Sequence, residues 1–169
     1  FGAWMAAMGL LAACAPALDW REVRPDDSGV TMLFPCKPDS HARRVSLGKQ
    51  QVRLLLHACT AGGSTWALAF ADMGDPALVG EALTELGNAA QKNLEASQPR
   101  PLGLKVDGAT PNPHSQRFEI TGRAPDGREV TEQVAVFAKG MRVYQAIALG
   151  QKLEPEAVAT FFGSLRVAP

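Results

Sequence analysis

The chain has 169 residues, 46% of them apolar and 20% charged, with 17 basic side chains against 17 acidic ones and a formal net charge of zero. That length supports one domain with its own core, and the apolar fraction belongs to a packed globule and not to a disordered chain. A neutral chain has no long-range attraction for nucleic acid, so no nucleic-acid partner is expected.

Residues 1–13 form an uncharged apolar run. It is shorter than the roughly 20 residues of a spanning helix and suits the hydrophobic region of a signal peptide. A basic segment is expected ahead of Phe1, because no Lys or Arg precedes Arg21. The run ends in Leu11-Ala12-Ala13-Cys14, which resembles the lipobox of bacterial lipoproteins. In that family a peptidase cuts before the cysteine, whose thiol receives diacylglycerol and whose freed amine is acylated. The resemblance implies a signal peptide over 1–13, a tether over 14–19 lipidated at Cys14, and one domain over 20–169. Acyl chains contribute about 0.8 kcal/mol per buried methylene, and two or three of them make a stable anchor. It implies a protein anchored to the cell membrane or outer membrane, with its domain in the periplasm or at the cell surface. Ala15 replaces the Asp that the family's sorting rule reads as inner-membrane retention, which points to the outer membrane. The alternative is an ordinary signal peptide cut at Ala15-Pro16-Ala17, which discards Cys14.

Behind the tether, Arg24-Pro25-Asp26-Asp27-Ser28-Gly29 reads as a turn, and period-two alternation then takes over. Strands are expected at 30–34, 44–47, 51–59 and 65–71, joined by hairpin turns at 47–50 and 60–63. In the last strand Trp66, Leu68 and Phe70 share one face and Ala67, Ala69 and Ala71 the other, so a helix is expected to pack closely on the alanine side. With Cys14 lipidated, Cys36 and Cys59 are left as a pair at two strand ends, and a disulfide between them suits an oxidising compartment. Two separate buried thiols are the alternative.

A helix follows. Asp75 is its expected N-cap and Pro76 its first residue; Leu78, Val79, Ala82, Leu83, Leu86, Ala90 and Leu94 keep helical spacing to about Ser97. Gly80 and Gly87 each weaken it by about 1 kcal/mol, so packing must hold it. Further strands are expected at 104–106, 115–121, 129–137 and 142–149. A helix from Pro155 closes the chain with Val158, Phe161, Phe162 and Leu165 on one face. The fold class expected is α+β, an antiparallel β-sheet flanked by helices.

Two stretches resemble the PsbP-like fold, which includes the extrinsic PsbP subunit of photosystem II, a Ran-binding nuclear import factor and bacterial lipoproteins of the DcrB type. Gly29-Val30-Thr31-Met32-Leu33-Phe34-Pro35 with Lys37-Pro38 resembles the family's opening strand. Val143-Tyr144-Gln145-Ala146 and Ala159-Thr160-Phe161-Phe162-Gly163-Ser164-Leu165-Arg166 resemble its closing strand and helix. The resemblance covers about residues 20–167. It implies an α/β/α sandwich and no common reaction.

No motif assigns chemistry. The chain lacks G-x-S-x-G, a Walker loop, G-x-G-x-x-G and H-E-x-x-H. His41, His57 and His114 lie on separate segments, and a metal site from His57, Cys59 and a distant ligand competes with the disulfide for the thiolate. Asp26-Asp27 and Asp72 with Asp75 read as turn carboxylates or calcium ligands, Arg43-Arg44 as a solvated cluster or a contact for lipid heads, and Trp20 with Trp66 as core or pocket wall. No catalytic residue, cofactor or resident metal is expected. The first function expected is a membrane-anchored, non-catalytic binding or accessory module whose partners are the membrane and an envelope protein. Its interaction loop is placed in the Pro-rich stretch of Pro99, Arg100, Pro111, Asn112, Pro113 and His114. A secreted periplasmic enzyme or metal-binding protein, and a structural envelope protein, are the alternatives.

Overall fold

The computed structural model describes residues 18–95 and 98–169. The apolar run of 1–13, Cys14 and the tether through Ala17 lie outside the described residues, as does the expected helix end at Ser97. In chain order the described residues form β1 (Arg21–Val23), β2 (Val30–Phe34), β3 (Asp39–Leu47), β4 (Gln50–Ala61) and β5 (Ser64–Asp72). A 3-10 turn (Pro76–Leu78) leads into α1 (Val79–Asn93). Then come β6 (Arg100–Leu102), β7 (Gln116–Arg123), β8 (Glu129–Lys139), β9 (Arg142–Gly150), α2 (Pro155–Gly163) and β10 (Arg166–Val167). Seven strands make one antiparallel sheet in the order β3-β4-β5-β9-β8-β7-β6, and β1-β2-β10 make a second, smaller one. The chain is thus mostly antiparallel β-sheet with two helices.

Two-residue turns set the register of the first hairpins. Both residues of Gly48-Lys49 and of Gly62-Gly63 have positive φ (57° and 66°, 60° and 72°), the turn geometry whose twist matches that of the strands. The alternation in β5 then sorts its side chains as the sequence implies. Trp66, Leu68 and Phe70 join a core with α2 and the small sheet, while Ala69 and Ala71 join a core with α1.

On the α1 side, Leu83, Leu86 and Ala90 pack against Phe118, Ile120, Val134 and Val136, and the helix lies over β8 and β9. The two helix glycines have a packing reason. A Cβ on Gly80 would stand 2.9 Å from the His114 ring, and one on Gly87 would stand 2.9 Å from Gln116 Nε2. Asp75 caps as expected, accepting from the Ala77 N–H (2.8 Å), but it opens the 3-10 turn, and α1 begins at Val79.

On the other side the Phe161 ring is fully enclosed, 5.4 Å from Phe34 and 5.2 Å from both Trp66 and Phe162. The Tyr144 hydroxyl donates to the Ser28 carbonyl (2.7 Å), which ties the turn before β2 to the large sheet. A disulfide joins Cys36, just past β2, to Cys59 on β4, with Cα atoms 6.0 Å apart and a sequence separation of 23. Closing that loop is worth about 3 kcal/mol in the chain-entropy picture. The alternative of two free thiols, and the alternative that gave Cys59 to a metal, are both overturned by this bond.

The strand expected at 104–106 is misplaced. The edge strand forms at Arg100–Leu102, where Arg100 opposes Glu119 and Pro101 is tolerated because an edge leaves one side of the strand unpaired. Leu104, Val106 and Ala109 leave the sheet and pack half-buried on the α2-side core. The short strands β1 and β10 were not anticipated, since two or three residues carry no readable period. Among the described residues no helix is long and apolar enough to cross a membrane.

Candidate functional site

The residues with the most chemistry meet at the β3–β4 edge, on the α2 side. Ser40 and His57 are direct cross-strand partners in the β3–β4 register. Their side chains form a hydrogen bond, Ser40 Oγ to His57 Nδ1, at 2.8 Å. The His57 ring lies parallel to the Phe70 ring, 6.0 Å between centroids. The β1–β2 turn brings Asp26 and Asp27 over this edge. That turn is held by Ser28, whose buried hydroxyl donates to the Pro25 carbonyl (2.7 Å) and accepts the Val30 N–H (2.9 Å). With His41, Arg53 and Leu55 these groups enclose a cleft of about 300 Å³.

Burial lowers the His57 pKa from its ordinary value, and the charge of Asp26 pulls it partly back up. His57 is therefore held toward neutral imidazole, with Nδ1 committed to Ser40. Asp26 acts on the ring through charge, and among the described contacts it makes no hydrogen bond to it. A Ser-His-Asp relay needs the carboxylate hydrogen-bonded to one ring nitrogen and the nucleophile on the other. The cleft as built offers a polar wall of donors and acceptors flanked by Arg53 and two carboxylates.

The other residues singled out from sequence are dispersed. Arg100 forms an ion pair with Glu119 (2.7 Å), and Pro99 precedes it at the start of the edge strand. Asn112 Oδ1 accepts the His114 N–H (2.9 Å), and the His114 ring packs on Gly80 of α1 with Nδ1 3.2 Å from Thr84 Oγ1. Pro111, Pro113 and His114 are exposed, and the segment before them is pinned by the Thr110–Ala138 bridge. Asp72 and Asp75 each accept a backbone N–H at 2.8 Å, which accounts for both as turn carboxylates. Trp20 meets Trp66 edge-on at 6.2 Å within the core. Arg44 faces Arg53 across β3 and β4. This arginine pair lies nine residues, about 30 Å of strand, from the Gly62 turn against which Leu18 rests. Among the described residues no group of three or more His, Cys, Asp or Glu is placed to hold a metal ion.

One residue escaped the sequence reading. Glu132 stands in β8 among the inward positions Val130, Val134 and Val136, and it is 5% exposed. The signal was present: an acidic residue on the apolar phase of an alternating strand is a buried charge in waiting. Burial pushes its carboxyl up to about 7.

Neither a protein-family model nor a curated protein matches the chain.

Proposed function

We propose that this chain is a lipid-anchored envelope protein whose PsbP-like domain works as a non-catalytic binding or accessory module. The observation that carries the reading is the Cys36–Cys59 disulfide. Such bonds persist in oxidising compartments, and this one leaves Cys14, directly behind the apolar run, as the remaining cysteine of three. The packing of α1 and α2 on opposite faces of the antiparallel sheet supports the sandwich that the PsbP-like resemblance implies.

The start of the described chain supports a close tether. The Asp19 N–H donates to the Pro35 carbonyl (2.8 Å), and a Cβ on Gly62 would meet the Leu18 side chain at 2.9 Å. The four Cα-to-Cα steps from Cys14 to Leu18 reach at most about 14 Å, so an anchor at Cys14 would hold the Gly62-Gly63 end of the sheet near the bilayer. The His57 cleft and the exposed Pro111, Pro113 and His114 are then the surfaces on which an envelope partner or ligand would act. Metabolic labelling with radioactive palmitate tests the reading: the wild type takes up label and sediments with membranes, and Cys14→Ser does neither. Label retained by Cys14→Ser, or a wild type soluble after lysis, overturns it.

A second reading, a periplasmic enzyme, is favoured by one observation, the Ser40–His57 hydrogen bond within the field of Asp26. Turnover of an ester substrate that both Ser40→Ala and His57→Ala abolish would establish it in place of the first.

A further inference from the structure

We propose that the cavity between α1 and the sheet, with the Glu132 carboxyl on its inner wall, binds a small organic cation: an ammonium group carried on an apolar body. The reading gives the proposed binding module a ligand class. It rests only on the binding part of that proposal, not on the anchor at Cys14.

The cavity measures about 270 Å³ and is walled by Leu54, Leu86, Ala90 and Ile147 around Glu132. That is just under the usual range of ligand sites, roughly 300 to 1,000 Å³, and suits a small ligand. Val45 and Leu47 continue the apolar part of the wall, and Arg43, Ser46, Glu85, Asn93 and Gln145 supply its polar part. Leaving a carboxyl there costs free energy that a hydrophobic residue would not, so Glu132 is retained against stability. Among the described residues no donor reaches it, and burial is the sole cause of its raised pKa, with no neighbouring charge offsetting it.

The charged groups on the packed elements do not neutralise it. From α1, Glu85 points its Oε2 to the Gly48 N–H (2.9 Å) and adds a second negative charge to the cavity wall. From β3, Arg43 is exposed and forms no ion pair among the described residues. From β9, Gln145 spends its amide nitrogen on the Leu86 carbonyl (2.9 Å), and its carbonyl oxygen is uncommitted among the described residues. The groups around the carboxyl therefore offer acceptors and negative charge; Arg43, the cation on the cavity wall, forms no ion pair with Glu132 among the described residues, and what the inner end lacks is a cationic donor at the carboxyl. An ammonium supplies up to three N–H donors and the counter-charge, while its hydrocarbon displaces water from Leu54, Leu86 and Ile147. An anion meets Glu132 and Glu85, and an alcohol leaves the charge uncompensated.

Protons balance simply. Near neutral pH a fraction of Glu132 is the carboxylic acid; on binding, its O–H bond breaks, the proton passes to buffer, and the ligand keeps all its N–H bonds. Affinity should therefore rise from about pH 6 to about pH 8 and the proton release should fall over the same range.

Titration calorimetry of the full 169-residue chain tests this with n-hexylammonium and 2-phenylethylammonium as probes and n-hexanol and hexanoate as controls. We expect both ammonium probes to bind one per chain, hexanol at least tenfold more weakly, and hexanoate not at all. Glu132→Gln should weaken ammonium binding at least tenfold. Ala89→Phe, an exposed position at the cavity wall, should block binding with Glu132 intact, and circular dichroism should show both variants folded. The proposal is overturned if hexanol and hexylammonium bind equally, if Glu132→Gln binds as the wild type does, or if neither probe binds more tightly than about 1 mM. Cys14→Ser should leave ammonium binding unchanged and Glu132→Gln should leave membrane partition unchanged, so the anchor and this site fail separately.

Discussion

The two faces of the large sheet are made by the same strands and are closed differently. On the α2 side Phe34, Phe137, Tyr144 and Phe161 are all 0% exposed and interlock ring against ring. On the α1 side β5 offers alanines, the helix lies over β8 and β9, and a cavity remains between the helix and the sheet, lined from β3 and β4 as well as by the Glu132 carboxyl of β8. One face is packed as a core should be. The other departs from that at Glu132 at a cost to stability, and such local departures are where function is carried.

The largest test of the contrast is a pair of truncations. Phe161→Ala should cost about 3 to 5 kcal/mol, because its ring is enclosed by Phe34, Trp66 and Phe162 and leaves a cavity behind. Leu86→Ala should cost about 2 kcal/mol, since Leu86 already borders open space. Urea unfolding midpoints measure both. If Leu86→Ala proves the costlier change, the α1 face is the better packed one and the comparison collapses.

The seam between the small sheet and the large one is tested by Cys36→Ala, with an expected loss of about 2 to 4 kcal/mol. Thiol titration of the unfolded, unreduced chain supplies the companion measurement. Cys36 and Cys59 should react only after a reductant is added; reaction before it removes the seam.

How much of this was legible beforehand follows from the length and period of each element. The β5 alternation placed Trp66, Leu68 and Phe70 opposite Ala69 and Ala71, and the spacing of Phe161 and Phe162 predicted their burial, because each period runs over enough residues to be seen. The disulfide could be inferred by pairing two cysteines of a presumed exported chain. β1 and β10 could not be seen, and Leu104 and Val106 alternate like a strand although, with Ala109, they pack as a strap beside one. The His57 cleft was beyond the sequence for a different reason. Asp26 and His57 are 31 positions apart and meet only through the anchoring of Ser28 under Tyr144. Glu132 was visible in phase, and only the question of what faces it required three dimensions.

Glu132 also gives the α1 face a pH signature. Moving a carboxyl from 4.5 to about 7 is worth at most roughly 3 kcal/mol at alkaline pH, because Glu132 keeps 5% of its exposure. Between those values the folded chain holds a proton that the unfolded chain has lost. Its contribution to stability is therefore greatest below about pH 4.5, declines as pH rises, and is exhausted above about pH 7. Glu85 and Arg43 line the same cavity in both proteins, so the difference between wild type and Glu132→Gln isolates this carboxyl. Glu132→Gln should gain up to about 3 kcal/mol on the wild type at high pH and lose that advantage in acid. A difference independent of pH would mean that Glu132 is not buried as a lone carboxyl.

The smallest effect belongs to an open part of the α2 side, the His57 cleft. Burial lowers the His57 pKa, so below the unfolded value of 6.5 the unfolded chain takes up a proton more readily than the folded one. The stability contributed by neutral His57 is present above 6.5 and is lost as pH falls below it, the opposite slope to that of Glu132. The charged and polar groups that line the cleft with the ring are Asp26 and Asp27 from the β1–β2 turn, Ser40 and His41 from β3 and Arg53 on its own strand, and Phe70 of β5 stacks on it. Among them Asp26 is the charge that raises the pKa, so Asp26→Asn should move the titration midpoint still lower, as read from the Cε1 proton of His57 by NMR. If the wild-type midpoint instead lies above 6.5 and Asp26→Asn drops it below, the two groups form an ion pair. The cleft then has the carboxylate-imidazole unit that acid–base chemistry requires, and it would be the place to look for turnover.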